Sequence, residues 1–286
     1  MILSGKARLA GVLGWPVSHS FSPRLHGYWL QRYGIDGAYL PLAAPGGALE
    51  RVVGALADLG FRGFNVTLPH KEPMLALCDE VTPEACRIGA VNTVVIDGGR
   101  LLGGNSDAFG FAENLRAAAP DWRPGAGPAA VIGAGGAARA VIAALQDLGL
   151  PEIRLVNRTE ARAEALAAAL ADPMVDPARP PIRVLPWAER GAALEAVGLL
   201  VNTTTLGMAG QPPLDLALDA LPAGALVTDI VYTPLETPLL AAARARGNPT
   251  VDGLGMLLHQ ARPGFEAWFG RAPEITAELR ALLLRD

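Results

Sequence analysis

Apolar residues in the first hundred positions fall into short blocks that switch between two periodicities. Residues 9–14 form a compact apolar run and predict a strand, and after a loop Ser22-Pro23 offers an N-cap and first-turn pair for a helix ending at Gly34. The alternation repeats with a strand over 39–42 and then Leu49, Val52, Val53, Leu56 and Leu59 at helical spacing, stopped by Gly60. Residues 64–68 predict a third strand and 73–78 a short helix, and Thr82-Pro83 opens a further helical turn. Residues 91–97 and 100–103 flank Gly98-Gly99, the pattern of a hairpin. A strand-helix series ending in a hairpin predicts a mostly parallel sheet with an antiparallel edge, covered by helices.

Residues 120–128 read Pro-Asp-Trp-Arg-Pro-Gly-Ala-Gly-Pro, too rich in breakers for a helix or a strand, and introduce a new unit. Beyond them the pattern predicts strand 129–132, helix 136–148, strand 153–157, helix 159–171, strand 182–185, helix 187–196, strands 199–203 and 225–232, helix 236–246 and strand 249–252. Such an alternation is that of a doubly wound α/β domain. Two helical segments remain, 254–269 with a break expected at Pro263, and 273–284, both expected to pack on the first domain. The fold class is therefore α/β in two domains. An N-terminal, mostly parallel α/β domain covers 1–107 and is completed by helices of 253–286; a Rossmann-type domain covers 108–252.

Composition narrows the function. The 286 residues are 51% apolar and 18% charged, which excludes a disordered chain. A net charge of −4 without a basic block favours neither nucleic acid nor an anionic membrane, and leaves a small molecule as the expected partner of a monomer or homodimer. Two cysteines, Cys78 and Cys86, are too few for a disulfide framework and poorly spaced for a metal, so a cytoplasmic location is expected. The early apolar run is interrupted by Gly14, Trp15 and Pro16 and reads as mature protein rather than a secretory signal. The longest later apolar stretch, 129–145, contains Arg139 and three glycines, so no membrane span is expected. The four histidines are scattered, and no metal is assigned.

Gly133-Ala134-Gly135-Gly136-Ala137-Ala138 satisfies G-x-G-x-x-A between a predicted strand and a predicted helix. Gly133 permits the tight turn, Gly135 lets backbone N–H groups approach a pyrophosphate, and Ala138 lets the helix pack closely on the strand. After the next strand stands Asn157-Arg158-Thr159, where an acidic residue would select a ribose 2′-hydroxyl. Arg158, helped by Arg162, offers a cation to a 2′-phosphate instead, so NADP is the expected cofactor; Thr159 adds a hydroxyl or simply caps the following helix. Lys71 lies just beyond the strand that carries Asn65 and Thr67, where open α/β sheets place ligands. Asp107 opens a helix running to about residue 119, as a functional carboxylate or as its N-cap.

Taken in order, Ser18-His19-Ser20 with Ser22-Pro23, residues 65–72 (Asn-Val-Thr-Leu-Pro-His-Lys-Glu), Gly89-Ala90-Val91-Asn92-Thr93, Asn105-Ser106-Asp107, the glycine loop, Asn157-Arg158-Thr159, Asn202-Thr203-Thr204, Asp229-Ile230-Val231-Tyr232 and residues 253–260 closely resemble the shikimate dehydrogenase family. The resemblance runs from about residue 9 to 269. It implies NADPH-dependent reduction of 3-dehydroshikimate to shikimate in aromatic amino-acid biosynthesis, in a cleft between two α/β domains. Lys71 and Asp107 are the implied catalytic pair, with protonated Lys71 stabilising the developing alkoxide and supplying the proton. Ser18 and Ser20, two apart and so on one face of an extended segment, are implied to grip the substrate carboxylate with the Tyr232 phenol, while Asn65, Thr67, Asn92 and Gln260 contact ring hydroxyls. Beside the glycine loop and the Arg158 turn, Thr203, Gly253 and Met256 are the implied cofactor contacts, Met256 as an apolar wall or as helix core.

Quinate/shikimate and aminoshikimate dehydrogenases are alternatives within the same chemistry, and a non-catalytic NADP-binding sensor is an alternative outside it. Arg158 argues against the NAD-using quinate enzymes, and the joint presence of Lys71 and Asp107 argues against the sensor. The sequence departs from the family pattern at Ala108, where glycine is usual and which a helix accommodates better than glycine, and at Pro263.

Overall fold

In the computed structural model, which describes residues 2–170 and 179–285, the apolar blocks form two six-stranded sheets, one in each of two units. Unit 1 takes Met1–Ser106 and Leu258–Asp286, and unit 2 takes Asp107–Leu257.

Unit 1 begins with β1 (Arg8–Gly14), α1 (Ser22–Arg32), β2 (Gly37–Ala43), α2 (Leu49–Asp58) and β3 (Gly63–Val66). Then come β4 (Glu80–Val81), α3 (Pro83–Ile88), β5 (Thr93–Asp97) and β6 (Arg100–Gly104), in the sheet order β2-β1-β3-β5-β6-β4. Strand β1 pairs in parallel with β2 on one side and β3 on the other, so the chain crosses back over β1 between its second and third strands. Pro41, opposite Val12 in β2, is tolerated because β2 is an edge strand whose outer side has no ladder to complete.

Three sequence expectations change here. The antiparallel strand is internal: β5 runs against both β3 and β6, while the edge is β4, parallel to β6. Gly98 and Gly99, at φ of +55° and +82°, make the tight turn that forces β5 and β6 antiparallel. Two-residue β4 is too short to leave a periodic trace. Residues 73–77 form a 3₁₀ turn rather than an α-helix. Ser22 is the first residue of α1 rather than its cap; Phe21 flanks the helix, and the Ser22 N–H donates to Ser20 Oγ at 3.3 Å. At α3 the expectation holds, with Thr82 Oγ1 accepting from the Ala85 N–H at 3.2 Å and Gly89 left-handed at the C-terminus.

Unit 2 runs α4 (Asp107–Ala118), β7 (Ala129–Ile132), α5 (Gly136–Asp147), β8 (Ile153–Val156), α6 (Glu160–Leu170), β9 (Ile182–Leu185), β10 (Leu199–Asn202), β11 (Leu226–Asp229), α7 (Pro238–Ala245) and β12 (Thr250–Val251). The last residue of the helix expected over 159–171 lies outside the described residues. Every pairing is parallel, in the order β12-β11-β10-β7-β8-β9. Read from the other edge this is the order 3-2-1-4-5-6 of a dinucleotide-binding sheet, with its switch point between β7 and β10. The four-residue strands β7, β10 and β11 are buried throughout, as expected of a sheet covered on both faces.

The helix expected over 187–196 is absent; two 3₁₀ turns, Trp187–Glu189 and Ala192–Leu194, stand there. Gly191 separates them, and the Arg190 guanidinium takes the Trp187 carbonyl at 3.1 Å, an acceptor that an α-turn would need.

The chain returns to unit 1 along α8 (Leu254–Phe269), followed by α9 (Ala277–Leu283). The break expected at Pro263 does not occur: α8 is continuous through it. Burial of Ala261, Phe265, Trp268 and Phe269, and the Trp268 Nε1–H donated to the Val94 carbonyl at 2.9 Å, offset the one hydrogen bond that proline forfeits. Unit 1 is also closed by Trp29 of α1, whose Nε1–H donates to the Glu274 carbonyl at 2.9 Å.

Candidate active site

In unit 1 the topology creates a switch point outside the carboxyl ends of β1 and β3, where open α/β sheets receive ligands. The loop after β1 carries Ser18 and Ser20, and the loop after β3 carries Thr67 and Lys71. Backbone bonds tie the two together, from the Trp15 N–H to the Leu68 carbonyl (2.9 Å) and from the Thr67 N–H to the Leu13 carbonyl (2.8 Å). Gly14 permits this approach, since a Cβ there would stand 2.3 Å from Thr67 Cγ2. Buried His70 anchors the lysine loop through a 2.7 Å bond between Nε2 and the Ala44 carbonyl, which requires the proton on Nε2. The Lys71 carbonyl accepts from the Val91 N–H at 2.8 Å, and the Lys71 side chain is half-buried.

The serines do not lie in an extended segment. Ser18 and His19 form a turn, with the Ser20 N–H donating to the Val17 carbonyl at 3.1 Å, so their placement comes from the turn and not from strand alternation. Ser18 is exposed and Ser20 half-buried.

Because β5 is antiparallel, its beginning lies beside the end of β3, and Asn92 arrives at the same edge of the sheet as Thr67. Here a buried polar network begins at the Tyr39 phenol. Tyr39 O–H donates to Asn65 Oδ1 (2.6 Å); Asn65 Nδ2 donates to Thr93 Oγ1 (3.1 Å) and to the Asn92 carbonyl (3.1 Å). Thr93 Oγ1 donates to Asn92 Oδ1 (2.8 Å), and Asn92 Nδ2 donates to Ser106 Oγ (3.1 Å). The Ser106 N–H returns to Asn92 Oδ1 at 2.8 Å. Burial pushes the Tyr39 phenol well above its usual range, so it stays a donor, and Ser22 hydrogen-bonds to it. Tyr39, Thr93 and Ser106 were not singled out from sequence. Thr93 and Ser106 sit inside recognised motifs, whereas the only trace of Tyr39 is a polar-tipped aromatic in a strand. Gln260 lies half-buried on the unit 1 part of α8.

Asp107 is the first residue of unit 2 and of α4, and is buried, with Ala108 continuing the helix. Within unit 2 the glycine loop sits at the switch point. The Gly133 N–H donates to the Val156 carbonyl at 2.8 Å, extending the β7–β8 ladder before the chain turns at φ of +109°. Thr203, after β10, donates from both its N–H and its Oγ1 to the Ile132 carbonyl, each at 2.8 Å, and packs against the Gly133 turn. A Cβ at Gly135 or Gly136 would meet nothing beyond its own neighbours and helix within 4 Å, and no side chain caps α5, so there is room beside the uncapped helix N-terminus. That is the environment a pyrophosphate requires. Ala138 is fully buried beneath the loop, and Ala134 and Ala137 are half-buried within it.

After β8, Asn157 Nδ2 donates to the Thr159 carbonyl at 2.7 Å, shaping the turn that presents Arg158; Arg158, Thr159 and Arg162 are all exposed. Gly253 is required by backbone, since a Cβ there would meet the Ile230 carbonyl oxygen at 2.4 Å, and Met256 is buried in the first turn of α8. Tyr232 is half-buried, with its phenol pushed above the usual range by burial. Asp229, quoted in a motif but given no role, proves fully buried: it accepts from Asn202 Nδ2 (3.0 Å), the Val231 N–H (3.0 Å) and Thr237 Oγ1 (2.7 Å), and thereby joins the loops after β10 and β11 to the start of α7. Among the described residues no group of three or more His, Cys, Asp or Glu could hold a metal, and no helix is long and apolar enough to cross a membrane.

A 3-2-1-4-5-6 parallel sheet with an uncapped helix behind a glycine loop makes unit 2 a Rossmann-type dinucleotide-binding domain, in a chain whose other unit is a separate α/β sheet with its own ligand edge. Residues 12–94 match the model of the shikimate dehydrogenase substrate binding domain, and residues 253–283 that of the shikimate 5′-dehydrogenase C-terminal domain. Shikimate dehydrogenase (NADP(+)) of Paramagnetospirillum magneticum is 63% identical over 283 residues, 99% of this chain and 100% of the relative. Among solved structures, shikimate 5-dehydrogenase of Thermus thermophilus in complex with NADP(H) and shikimate is 39% identical with a TM-score of 0.83, over 96% of this chain and 97% of the other. Quinate dehydrogenase of Corynebacterium glutamicum in complex with NAD is 31% identical with a TM-score of 0.89, over 97% and 99%. The chain belongs to the shikimate dehydrogenase family.

Proposed function

We propose that this chain is an NADP-dependent shikimate dehydrogenase, reversibly reducing the ketone of 3-dehydroshikimate to the alcohol of shikimate on the route to aromatic amino acids. The observation that carries the reading is the joint presence, in a member of this family, of the Lys71 loop at the switch point of unit 1 and an acid-free, Arg158-bearing turn after β8 in unit 2. Unit 1 is the substrate domain and unit 2 the cofactor domain.

Bound NADPH supplies the hydride. Lys71 and Asp107 are the proton-handling groups: the Lys71 ammonium stabilises negative charge on the carbonyl oxygen as it develops and then supplies its proton. Ser18 and Ser20 donate to the carboxylate, with Tyr232 as a further donor kept protonated by burial. Thr67, Asn65, Asn92 and Gln260 read the ring hydroxyls. The α5 N-terminus and the Gly133–Ala137 backbone hold the pyrophosphate, Arg158, Arg162, Asn157 and Thr159 the 2′-phosphate end, and Thr203, Gly253 and Met256 line the same cofactor path. A cytoplasmic location and a monomer or homodimer belong to the same reading.

The test is to offer the purified chain shikimate and quinate, each with NADP and NAD, and follow the reduced nicotinamide band. Turnover is expected to be fastest with shikimate and NADP. Preference for quinate with NAD would move the chain to the quinate branch, and absence of turnover with all four pairs would remove the enzymatic reading.

A further inference from the structure

We infer that Tyr39 is a positioning residue for substrate recognition, setting the orientation of the Asn65 side-chain amide directly and reinforcing that of Asn92 through the hydroxyl of Thr93. The inference rests on the shikimate reading above but is argued from unit 1 alone. A carboxamide has a donor end and an acceptor end, and turning it over exchanges what it offers to a ligand hydroxyl. In unit 1 nothing about Asn65 is left to choice: the Tyr39 phenol, which can only donate to it while protonated, claims Oδ1, and the two Nδ2 hydrogens go to Thr93 Oγ1 and the Asn92 carbonyl. What remains of Asn65 for a ligand is the second lone pair of Oδ1, so it recognises a substrate hydroxyl as an acceptor.

The direction then propagates. Having accepted from Asn65, the Thr93 hydroxyl donates onward to Asn92 Oδ1, and Asn92 Nδ2 faces Ser106 Oγ. The Ser106 N–H holds Asn92 Oδ1 from the other side; each bond polarises the next, so the first donor reinforces that orientation of the last amide even though the two residues do not touch. Tyr39 is itself fixed, because its ring stacks on His26 at 3.9 Å between centroids and 3° between planes. Asn65, Thr93, Asn92 and Ser106 are all buried, which leaves bulk water no part in setting these orientations.

The experiment uses the full chain with Tyr39→Phe, Thr93→Val and Thr93→Ser. Tyr39→Phe keeps the stacked ring and removes only the hydroxyl. Its KM for shikimate is expected to rise about tenfold, the scale of one lost buried hydrogen bond, while KM for NADP stays within about twofold. Thr93→Val is expected to do the same, and Thr93→Ser, which restores the hydroxyl, to return KM for shikimate to near the wild-type value. Side-chain amide ¹⁵N–¹H resonances, assigned by their loss in Asn65→Asp and Asn92→Asp, give a readout independent of turnover: Tyr39→Phe should shift the Asn92 pair as well as the Asn65 pair. The proposal is overturned if the Asn92 resonances stay in place, if the two KM values move together, or if Thr93→Ser is as impaired as Thr93→Val. Should Tyr39→Phe fail to fold, the Thr93 pair decides by the same criteria. A wild-type chain inactive on shikimate would remove the activity reading, and the resonances would still decide the positioning role.

Discussion

Gly133 and Thr203 approach so closely that a Cβ on the glycine would lie 2.6 Å from Thr203 Oγ1. That hydroxyl is itself occupied, donating to the Ile132 carbonyl at 2.8 Å, and Gly133 holds a φ of +109° that side chains rarely adopt. Gly133→Ala must therefore displace either the turn or the strand end beside it. The expected result is a KM for NADP raised about tenfold or more with KM for shikimate within about twofold, measured by steady-state kinetics with each substrate varied. An unchanged KM for NADP would mean that the turn does not carry the pyrophosphate.

Arg158 stands exposed on the turn after β8, with Asn157 shaping the backbone beneath it. Replacing it by aspartate puts an acceptor for a 2′-hydroxyl where the proposed function places a cation for a 2′-phosphate. Arg158→Asp should lower kcat/KM with NADP by about a hundredfold and leave that with NAD unchanged or improved. A cofactor ratio equal to that of the wild type would count against the phosphate reading.

Lys71→Ala should remove about three orders of magnitude from kcat while shikimate binding, followed by equilibrium titration, changes only a few-fold. Lys6 and Lys71 are the only lysines in the sequence, and Lys6 is exposed at the start of the chain. In a peptide-mapped amine-directed labelling experiment Lys6 therefore serves as the internal reference, and labelling of Lys71 that ignores shikimate would place the substrate elsewhere.

His26 sets a pH dependence of stability. It is fully buried among Trp29, Tyr39, Phe265 and Trp268, and neither ring nitrogen meets a hydrogen-bond partner among the described residues. Burial lowers its pKa from 6.5 to about 3. The folded state thus refuses a proton that the unfolded state accepts. Its share of stability is full above pH 6.5 and is lost as pH falls toward 3, at up to about 1.4 kcal/mol per pH unit. Denaturant unfolding at pH 7 and pH 5 should show His26→Phe losing about 2 kcal/mol less than the wild type over that interval. Equal losses would show that His26 does not titrate between the two states.

Legibility in the sequence followed the range of the interactions. Helices and strands with an intrinsic period, such as α5 after the glycine loop, could be read because 3.6- and 2-residue spacings are local, and the motif loops because their chemistry lies in adjacent residues. Three kinds of feature escaped. Strand β4 has two residues and no period; the internal place of β5 depends on pairings with strands far along the chain; and α8 survives Pro263 because of a core to which Trp268 and Phe265 contribute. In the candidate site, Asn65 and Asn92 were visible and Tyr39 was not, because its link to the site is a hydrogen bond to a residue 26 positions away. The serine turn misled for the opposite reason: alternation suggested an extended segment, and a local hydrogen bond won.

Unit 1 is assembled from two separated stretches of the chain, with Trp268 and Phe265 filling a core otherwise built before residue 107. During vectorial synthesis the contiguous unit 2 leaves the ribosome whole, while the first sheet emerges early and waits for its covering helices. A chain halted before α8 thus leaves uncovered the apolar surface of its first sheet that Phe265 and Trp268 bury in the finished fold.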